Sequence, residues 1–280
     1  MDLIAEQCRR NVAADDSWTR YSAHRERVTR TLLDARTVSA ERLCLLGAGN
    51  LNDFDLAALL TAFREIVLVD VDADALQRGL ARQGLAGDAR FQMVAPVDVS
   101  GVFAELTAIA IANGPADEAA IERCLQSLAQ TPDFGWKGSC DVVASVGLLT
   151  QLIDGVTRTI DESHPRSWDV VSALRTQHLR LMLELASPGG AAVLVTEVVS
   201  SDSCPALLSV GKHELSELLR REISARNFFT GTSPAALQQW LRTDVRLAGQ
   251  LASVRFSEPW LWTFLVRTYA VYSVTLRKFG

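Results

Sequence analysis

The sequence LCLLGAGNLNDFDLAALL, residues 43–60, joins an apolar strand pattern to a glycine turn and the start of a helix. Gly47 and Gly49 flank Ala48 at the point where the strand pattern ends. Glycine has no β-carbon, so a ligand can approach such a turn closely, and the unpaired N–H groups of the following helix point toward the same place. This stretch therefore predicts a small-molecule site between a strand and a helix.

Acidic residues end the next two apolar segments. EIVLVD (residues 65–70) ends in Asp70, and FQMVAPVD (residues 91–98) ends in Asp98. An acid at the end of the second strand suits the hydroxyl groups of a ribose. Asn52 stands where the dinucleotide pattern G-x-G-x-x-G has its third glycine, which weakens the case for a nicotinamide dinucleotide.

Strand and helix patterns continue to alternate, which predicts parallel strands joined by crossover helices. CDVVASVGLLTQL (residues 140–152) is typical of a fourth strand with its exit loop, and LELASPGGAAVLVTE (residues 183–197) leads through a turn into a fifth strand. Two strands are predicted at the end, over residues 253–260 and 267–279. Helices are predicted over residues 18–35, 54–64, 73–83, 167–185, 214–226 and 234–242, with a two-helix insertion over 102–130 that breaks at 113–115.

In order and spacing, these segments resemble the class I S-adenosylmethionine-dependent methyltransferases, well over residues 42–197 and loosely in the flanks. The resemblance implies an α/β fold with a doubly wound, mostly parallel seven-stranded sheet, helices on both faces and an antiparallel last strand. It also implies S-adenosyl-L-methionine as cofactor and S-adenosyl-L-homocysteine as product. Leu45 stands where family members usually carry an acid, so Asn50, Asn52 or Asp53 would contact the methionine end instead.

The resemblance assigns cofactor contacts to the ends of four strands. Gly47 and Gly49 would pass under the cofactor, Asp70 would bind the ribose hydroxyls, and Asp98 with the Val99 backbone would contact the adenine. Ser145 and Val146 would flank the methyl donor. The complete predicted set is Gly47, Ala48, Gly49, Asn50, Asp53, Asp70, Val71, Asp98, Val99, Ser145 and Val146. A helix cap for Asp53, and an ordinary loop position for Asp98, are the alternatives, and Asp72 is predicted to cap a helix.

Composition limits the classes that the protein can belong to. At 280 residues with 48% hydrophobic content, we expect one domain, with a helical cap (1–40), a cofactor-binding core (41–200) and a part that completes the sheet (201–280). The net charge of −5 and the dispersed basic residues disfavour a nucleic-acid partner. Five cysteines without a C-x-x-C pair fit the cytoplasm. No metal site and no membrane span are expected.

Methyl transfer from a sulfonium is a direct displacement, so the protein needs no nucleophile of its own, and we expect a small or medium-sized soluble acceptor. Weak candidates for a base are His24, His164, His213 and Glu197. The N-terminal helix, residues 155–164 and the Trp260-Leu261-Trp262 stretch are candidates to cover the pocket. Two alternatives remain: an NAD(P)-linked oxidoreductase, which shares the first half of the fold, and a non-catalytic protein that binds S-adenosylmethionine.

Overall fold

A central sheet organises the molecule. The computed structural model describes residues 2–37, 40–112, 114–161 and 163–280, and every structural statement below refers to these ranges. The strands are β1 (Arg42–Leu46), β2 (Glu65–Val69), β3 (Phe91–Val94), β4 (Cys140–Val146), β5 (Ala186–Ser200), β6 (Leu251–Phe256), β7 (Trp260–Phe264) and β8 (Arg267–Lys278). Their order is β3-β2-β1-β4-β5-β8-β6, and β7 also pairs with β8.

The first five strands run parallel, and β8 is antiparallel to β5 and to both strands on its other side. β6 pairs with the second half of β8 and β7 with its first half, so the two share one edge position. Eight strands therefore fill seven positions, which confirms the predicted doubly wound topology. The predicted strand over residues 253–260 is two strands, because Pro259 cannot donate to a ladder.

Eleven helices surround the sheet in the described ranges. They are α1 (Leu3–Ala13), α2 (Ser22–Ala35), α3 (Leu56–Leu59), α4 (Ala73–Arg82), α5 (Phe103–Ala112), α6 (Glu118–Leu128), α7 (Leu148–Thr159), α8 (Ser167–Leu185), α9 (Leu215–Ser224), α10 (Pro234–Thr243) and α11 (Val245–Ala248). None of them is long and apolar enough to cross a membrane. The predicted break at 113–115 does separate α5 from α6, although Asn113 itself lies outside the described residues.

Alternation along the strands divides the core into two layers. Leu43 and Leu45 of β1 pack in one buried cluster with side chains of α2, α3 and α4. Cys44 and Leu46 belong to the other cluster, which α5, α6, α7 and α8 cover. Successive side chains of a strand point to opposite faces, so a strand covered by helices on both sides is apolar throughout. This arrangement confirms the prediction of helices on both faces of the sheet.

The structure differs from the sequence predictions at three helices. The helix expected over residues 54–64 is only α3, which Asp55 caps by accepting a hydrogen bond from the Ala58 N–H at 3.0 Å. The expected exit loop after β4 is instead helix α7, which begins directly after Gly147. Helix α1 was not predicted, because Leu3 is its one buried residue and the apolar pattern is correspondingly weak.

Candidate functional site

The glycine turn after β1 is bonded to the acid that ends β2. Gly47 and Gly49 have φ angles of +65° and +49°, a region that residues with a β-carbon rarely adopt. The Gly49 N–H donates to Oδ2 of Asp70 at 2.7 Å, and the Asp72 N–H donates to its Oδ1 at 2.9 Å. Burial raises the pKa of Asp70 to about 6, against the lowering effect of these backbone donors.

A cavity opens at this turn, on the carboxyl-end side of the parallel strands. The enclosed space that a water-sized molecule can occupy is about 90 Å³, and it widens into solvent at its mouth. We call it the glycine-loop cavity. The predicted residues that line it are Gly47, Ala48, Gly49, Asn50, Asp53, Asp70, Val71, Asp98, Val99 and Val146.

Ser145 is the predicted residue that does not line the cavity. It is fully buried, and its Oγ lies 2.8 Å from Nε2 of His178 on α8. Burial lowers the pKa of His178 to about 4, so the imidazole is neutral at pH 7. The Ser145 side chain therefore points away from the cavity, which Val146 and Gly147 line at the end of β4.

The acidic residues of the predicted set differ in their local bonding. Asp98 accepts hydrogen bonds from the Ser100 N–H and the Phe103 N–H at 2.9 Å each, so it holds the start of α5 while it lines the cavity. Asp53 is not a helix cap, since Asp55 occupies that position. Asp72 does cap α4, with its Oδ1 accepting from the Ala75 N–H at 2.9 Å.

Helix α1 covers the glycine turn and adds residues that the sequence did not predict. Gln7, Asn11 and Ala14 line the cavity. The Asn11 side chain donates to Oδ2 of Asp72 at 3.1 Å, and its backbone carbonyl accepts from Nδ2 of Asn50 at 2.5 Å. The one sequence signal for this contact is the i,i+4 spacing of the two amides, Gln7 and Asn11, which places both on one face of a helix.

Several buried polar atoms on cavity-lining residues have no hydrogen-bond partner within the described part of the chain. They include Oδ1 of Asn50, Oη of Tyr21 and Nε1 of Trp262. A buried polar group without a partner is costly, and such groups gather where a ligand completes the hydrogen bonds. An acceptor at Asn50 and donors at Tyr21 and Trp262 would fit a polar ligand such as S-adenosylmethionine.

A second cleft adjoins the glycine-loop cavity, and Gln151, Trp262 and Phe264 line both. We call it the adjacent cleft. Glu197, in the last third of β5, lies between the two. It lines the adjacent cleft, and a β-carbon added to Gly147 would lie 3.2 Å from its Oε1. The Thr150 hydroxyl donates to Oε2 of Glu197. Burial raises the pKa of Glu197 to about 7, despite that hydrogen bond.

The candidate histidines lie outside both clefts. His24 is buried behind the cavity wall, where its Nδ1 accepts from Nε1 of Trp260 at 3.0 Å and its Nε2 lies 3.3 Å from Oδ1 of Asp53. His164 lies between α7 and α8, and His213 is exposed before α9. Within the described ranges, no group of three or more His, Cys, Asp or Glu side chains is placed to hold a metal ion.

Comparison with known proteins identifies the fold. No protein-family model and no curated protein matches the sequence. The N-methyltransferase NodS from Bradyrhizobium japonicum WM9, in complex with S-adenosyl-L-homocysteine, is 12% identical, with 99% of each chain covered and a TM-score of 0.50. The YcgJ protein from Bacillus subtilis is 9% identical, with 92% of this chain and 100% of that chain covered and a TM-score of 0.49. The fold is that of the class I S-adenosylmethionine-dependent methyltransferases.

Proposed function

We propose that the protein is an S-adenosylmethionine-dependent methyltransferase that acts on a small or medium-sized soluble acceptor by direct in-line transfer. The observation that carries the proposal is the pair of adjoining clefts. One contains the glycine turn, Asp70 and Asp98, and the other contains the buried carboxylate of Glu197. Because the two clefts share lining residues, a methyl donor in one would lie next to an acceptor in the other. Such proximity can lower the activation barrier of the transfer by about 7–11 kcal/mol.

The residues of the glycine-loop cavity fit the proposed cofactor. Each carboxylate oxygen has two lone pairs, so Asp70 can accept from ribose hydroxyls while it keeps its bonds to the Gly49 and Asp72 N–H groups. The unpartnered Oδ1 of Asn50 is a suitable acceptor for an ammonium group. When bound, the cofactor supplies a methyl group on a sulfonium. Tyr21 and Trp262 present aromatic rings at the same cavity, which favours a cation there.

Calorimetry with S-adenosyl-L-homocysteine and with NAD tests this proposal against its first alternative. We expect S-adenosyl-L-homocysteine to bind and NAD to give no heat. Preferential binding of NAD would instead support the oxidoreductase. The second alternative, a non-catalytic binding protein, predicts cofactor affinity without methyl transfer to any acceptor. The large adjacent cleft beside Glu197 favours an enzyme over this alternative, since a protein that only binds the cofactor has no need of an acceptor site.

A further inference from the structure

Part of the lining of the adjacent cleft is aromatic. Four rings follow one another along it, which we call the aromatic wall: Phe264, Trp262, Tyr269 and Phe229. The ring centroids of Trp262 lie 5.7 Å from Phe264 and 5.6 Å from Tyr269, and Tyr269 lies 6.1 Å from Phe229. Aromatic faces attract cations such as ammonium groups, most strongly where water is excluded.

Glu197 lines the same cleft as these rings, without a cationic partner. Its relative exposure is 4%, and the groups that act on it are the Thr150 hydroxyl, its own backbone and the acid Asp53. Within the described ranges, no lysine, arginine or histidine forms an ion pair with it. A buried carboxylate is normally paired with a positive charge, because an isolated buried charge is costly. A ligand with a positive charge would supply that partner.

The basic residues of the cleft do not supply this charge, because they lie toward its mouth and are paired with other acids. Arg10 bonds to Asp154 at 2.7 Å, and Arg267 bonds to Asp202 at 2.7 Å. Arg158 also bonds to Asp154 and to Glu6. The cleft therefore combines ion pairs near solvent with aromatic rings and one buried acid, Glu197, that has no cationic partner.

We infer that the methyl acceptor is an amine, held as its ammonium form by Glu197 and the aromatic wall. This inference rests on the proposed function and specifies the acceptor. In the reaction, the ammonium gives one proton to the Glu197 carboxylate, and the freed nitrogen lone pair forms a bond to the methyl carbon. The carbon–sulfur bond breaks with its electron pair staying on sulfur. The products are a methylated ammonium, a neutral thioether and a protonated Glu197, so the total charge is unchanged.

Matched pairs of amines and alcohols test the inference. Benzylamine with benzyl alcohol, and 2-phenylethylamine with 2-phenylethanol, differ mainly in the charged group at pH 7. We expect the amines to bind the protein saturated with S-adenosyl-L-homocysteine about tenfold or more tightly than their alcohols, since a hydrogen bond to a charged group is worth about 1.5–3 kcal/mol. Equal or weaker binding of the amines, or no binding, would overturn the inference.

Two variants test whether Glu197 and the aromatic wall bind the amine. Glu197→Gln keeps the shape and the Thr150 hydrogen bond, so it should fold and bind S-adenosyl-L-homocysteine as before but lose about tenfold or more in amine affinity. Phe229→Leu removes one ring of the aromatic wall and should weaken the amine severalfold with less effect on the alcohol. The control is Glu217→Gln, which removes an exposed acid whose partner Arg220 also lies outside the cleft lining, and it should leave amine affinity unchanged.

The two proposals fail in distinguishable ways. If S-adenosyl-L-homocysteine binds but Glu197→Gln has the amine affinity of the unmodified protein, the amine assignment is wrong and the proposed methyl transfer stands. The amine assignment is equally wrong if the alcohols, and not the amines, become radiolabelled with S-adenosylmethionine that carries a tritiated methyl group. Absence of S-adenosyl-L-homocysteine binding to the unmodified protein would refute both proposals.

Discussion

Gly49 and Asp70 are joined by a hydrogen bond of 2.7 Å from the backbone N–H of the glycine turn to Oδ2 at the end of the neighbouring strand. The bond ties the ends of β1 and β2 to each other at the edge of the glycine-loop cavity. Burial raises the pKa of Asp70 to about 6 while the hydrogen bond from Gly49 opposes that rise, so the carboxylate is mostly ionised at pH 7. The same two residues therefore shape the cavity and place a negative charge in it.

Substitution Asp70→Ala should weaken S-adenosyl-L-homocysteine about tenfold to a hundredfold, since it removes a charged acceptor worth about 1.5–3 kcal/mol. Calorimetry at pH 7 measures the change, with circular dichroism to verify the fold. Asp88→Ala is the control, because Asp88 is an acid outside the cavity lining that pairs with Arg90. Equal affinity of the two variants would remove Asp70 from the binding site.

Substitution Gly49→Ala should abolish or strongly weaken cofactor binding. The residue has a φ of +49°, and an added β-carbon would lie 3.1 Å from Oδ1 of Asn11, so the turn and α1 would move apart. Gly84→Ala is a matched control: it has a φ of +70° but open space around the added carbon. Both variants should lose on the order of 1 kcal/mol of stability from backbone strain, and only the first should lose affinity.

The local part of this site could be predicted from the sequence. The glycine turn and Asp70 follow apolar strands directly, Asp98 follows one after a short loop, and parallel strands bring their carboxyl ends together. The burial of the Ser145 side chain could not be predicted, because it depends on contacts between distant segments. Ser145 and Val146 are neighbours with opposite side-chain directions, and only the packing of α8 shows which one is covered by His178.

Helix α1 was missed for a related reason. Its inner face carries the amides Gln7 and Asn11 where an ordinary packed helix carries apolar residues, so periodicity gave no signal. The sequence pattern likewise gave no signal for the buried environment of Glu197. Its position in the sequence indicates only that it lies in a strand. The burial that raises its pKa depends on segments packed around it, such as α7, whose Thr150 donates to its carboxylate.

Deleting residues 1–14 should preserve the fold and speed the release of S-adenosyl-L-homocysteine. α1 buries little apolar surface and is held mainly by polar contacts, such as those of Arg10 with Asp154 and Asn11 with Asp72. Stopped-flow displacement measures the release rate, which should rise severalfold. A longer deletion that includes Val28 and Leu32 is unsuitable, because both are fully buried and their loss would open the core. An unchanged release rate would show that α1 is not a cover.

Glu197→Gln should change how stability depends on pH. Burial raises the pKa of Glu197 from 4.5 to about 7, so between these values the folded protein holds a proton that the unfolded chain has released. The resulting stability is present below pH 4.5 and is lost as pH rises through 7, on the order of 3 kcal/mol. The variant should therefore gain stability relative to the unmodified protein as pH rises from 4.5 to 7.

Urea unfolding at several pH values measures this difference. The comparison with the variant isolates Glu197, because Asp70 and His178 titrate equally in both proteins and their contributions cancel. A difference in stability that stays constant between pH 4.5 and 7 would mean that the Glu197 carboxyl is not desolvated in the folded protein, and it would remove the reason to expect a base there.

Substitutions of His24 should affect stability more than catalysis. Trp260 donates to Nδ1, which leaves the proton on Nε2, facing Asp53, and the imidazole stacks on Trp262 at a centroid distance of 4.8 Å. His24→Phe leaves the indole N–H and the carboxylate without their partner and should cost roughly 1–3 kcal/mol in urea unfolding. His24→Gln can still accept from the indole and should recover part of that loss.

Turnover at saturating cofactor and acceptor is the second measurement. If His24→Gln is as stable as the unmodified protein yet has lost turnover, this prediction is wrong, and His24 and not Glu197 is the base.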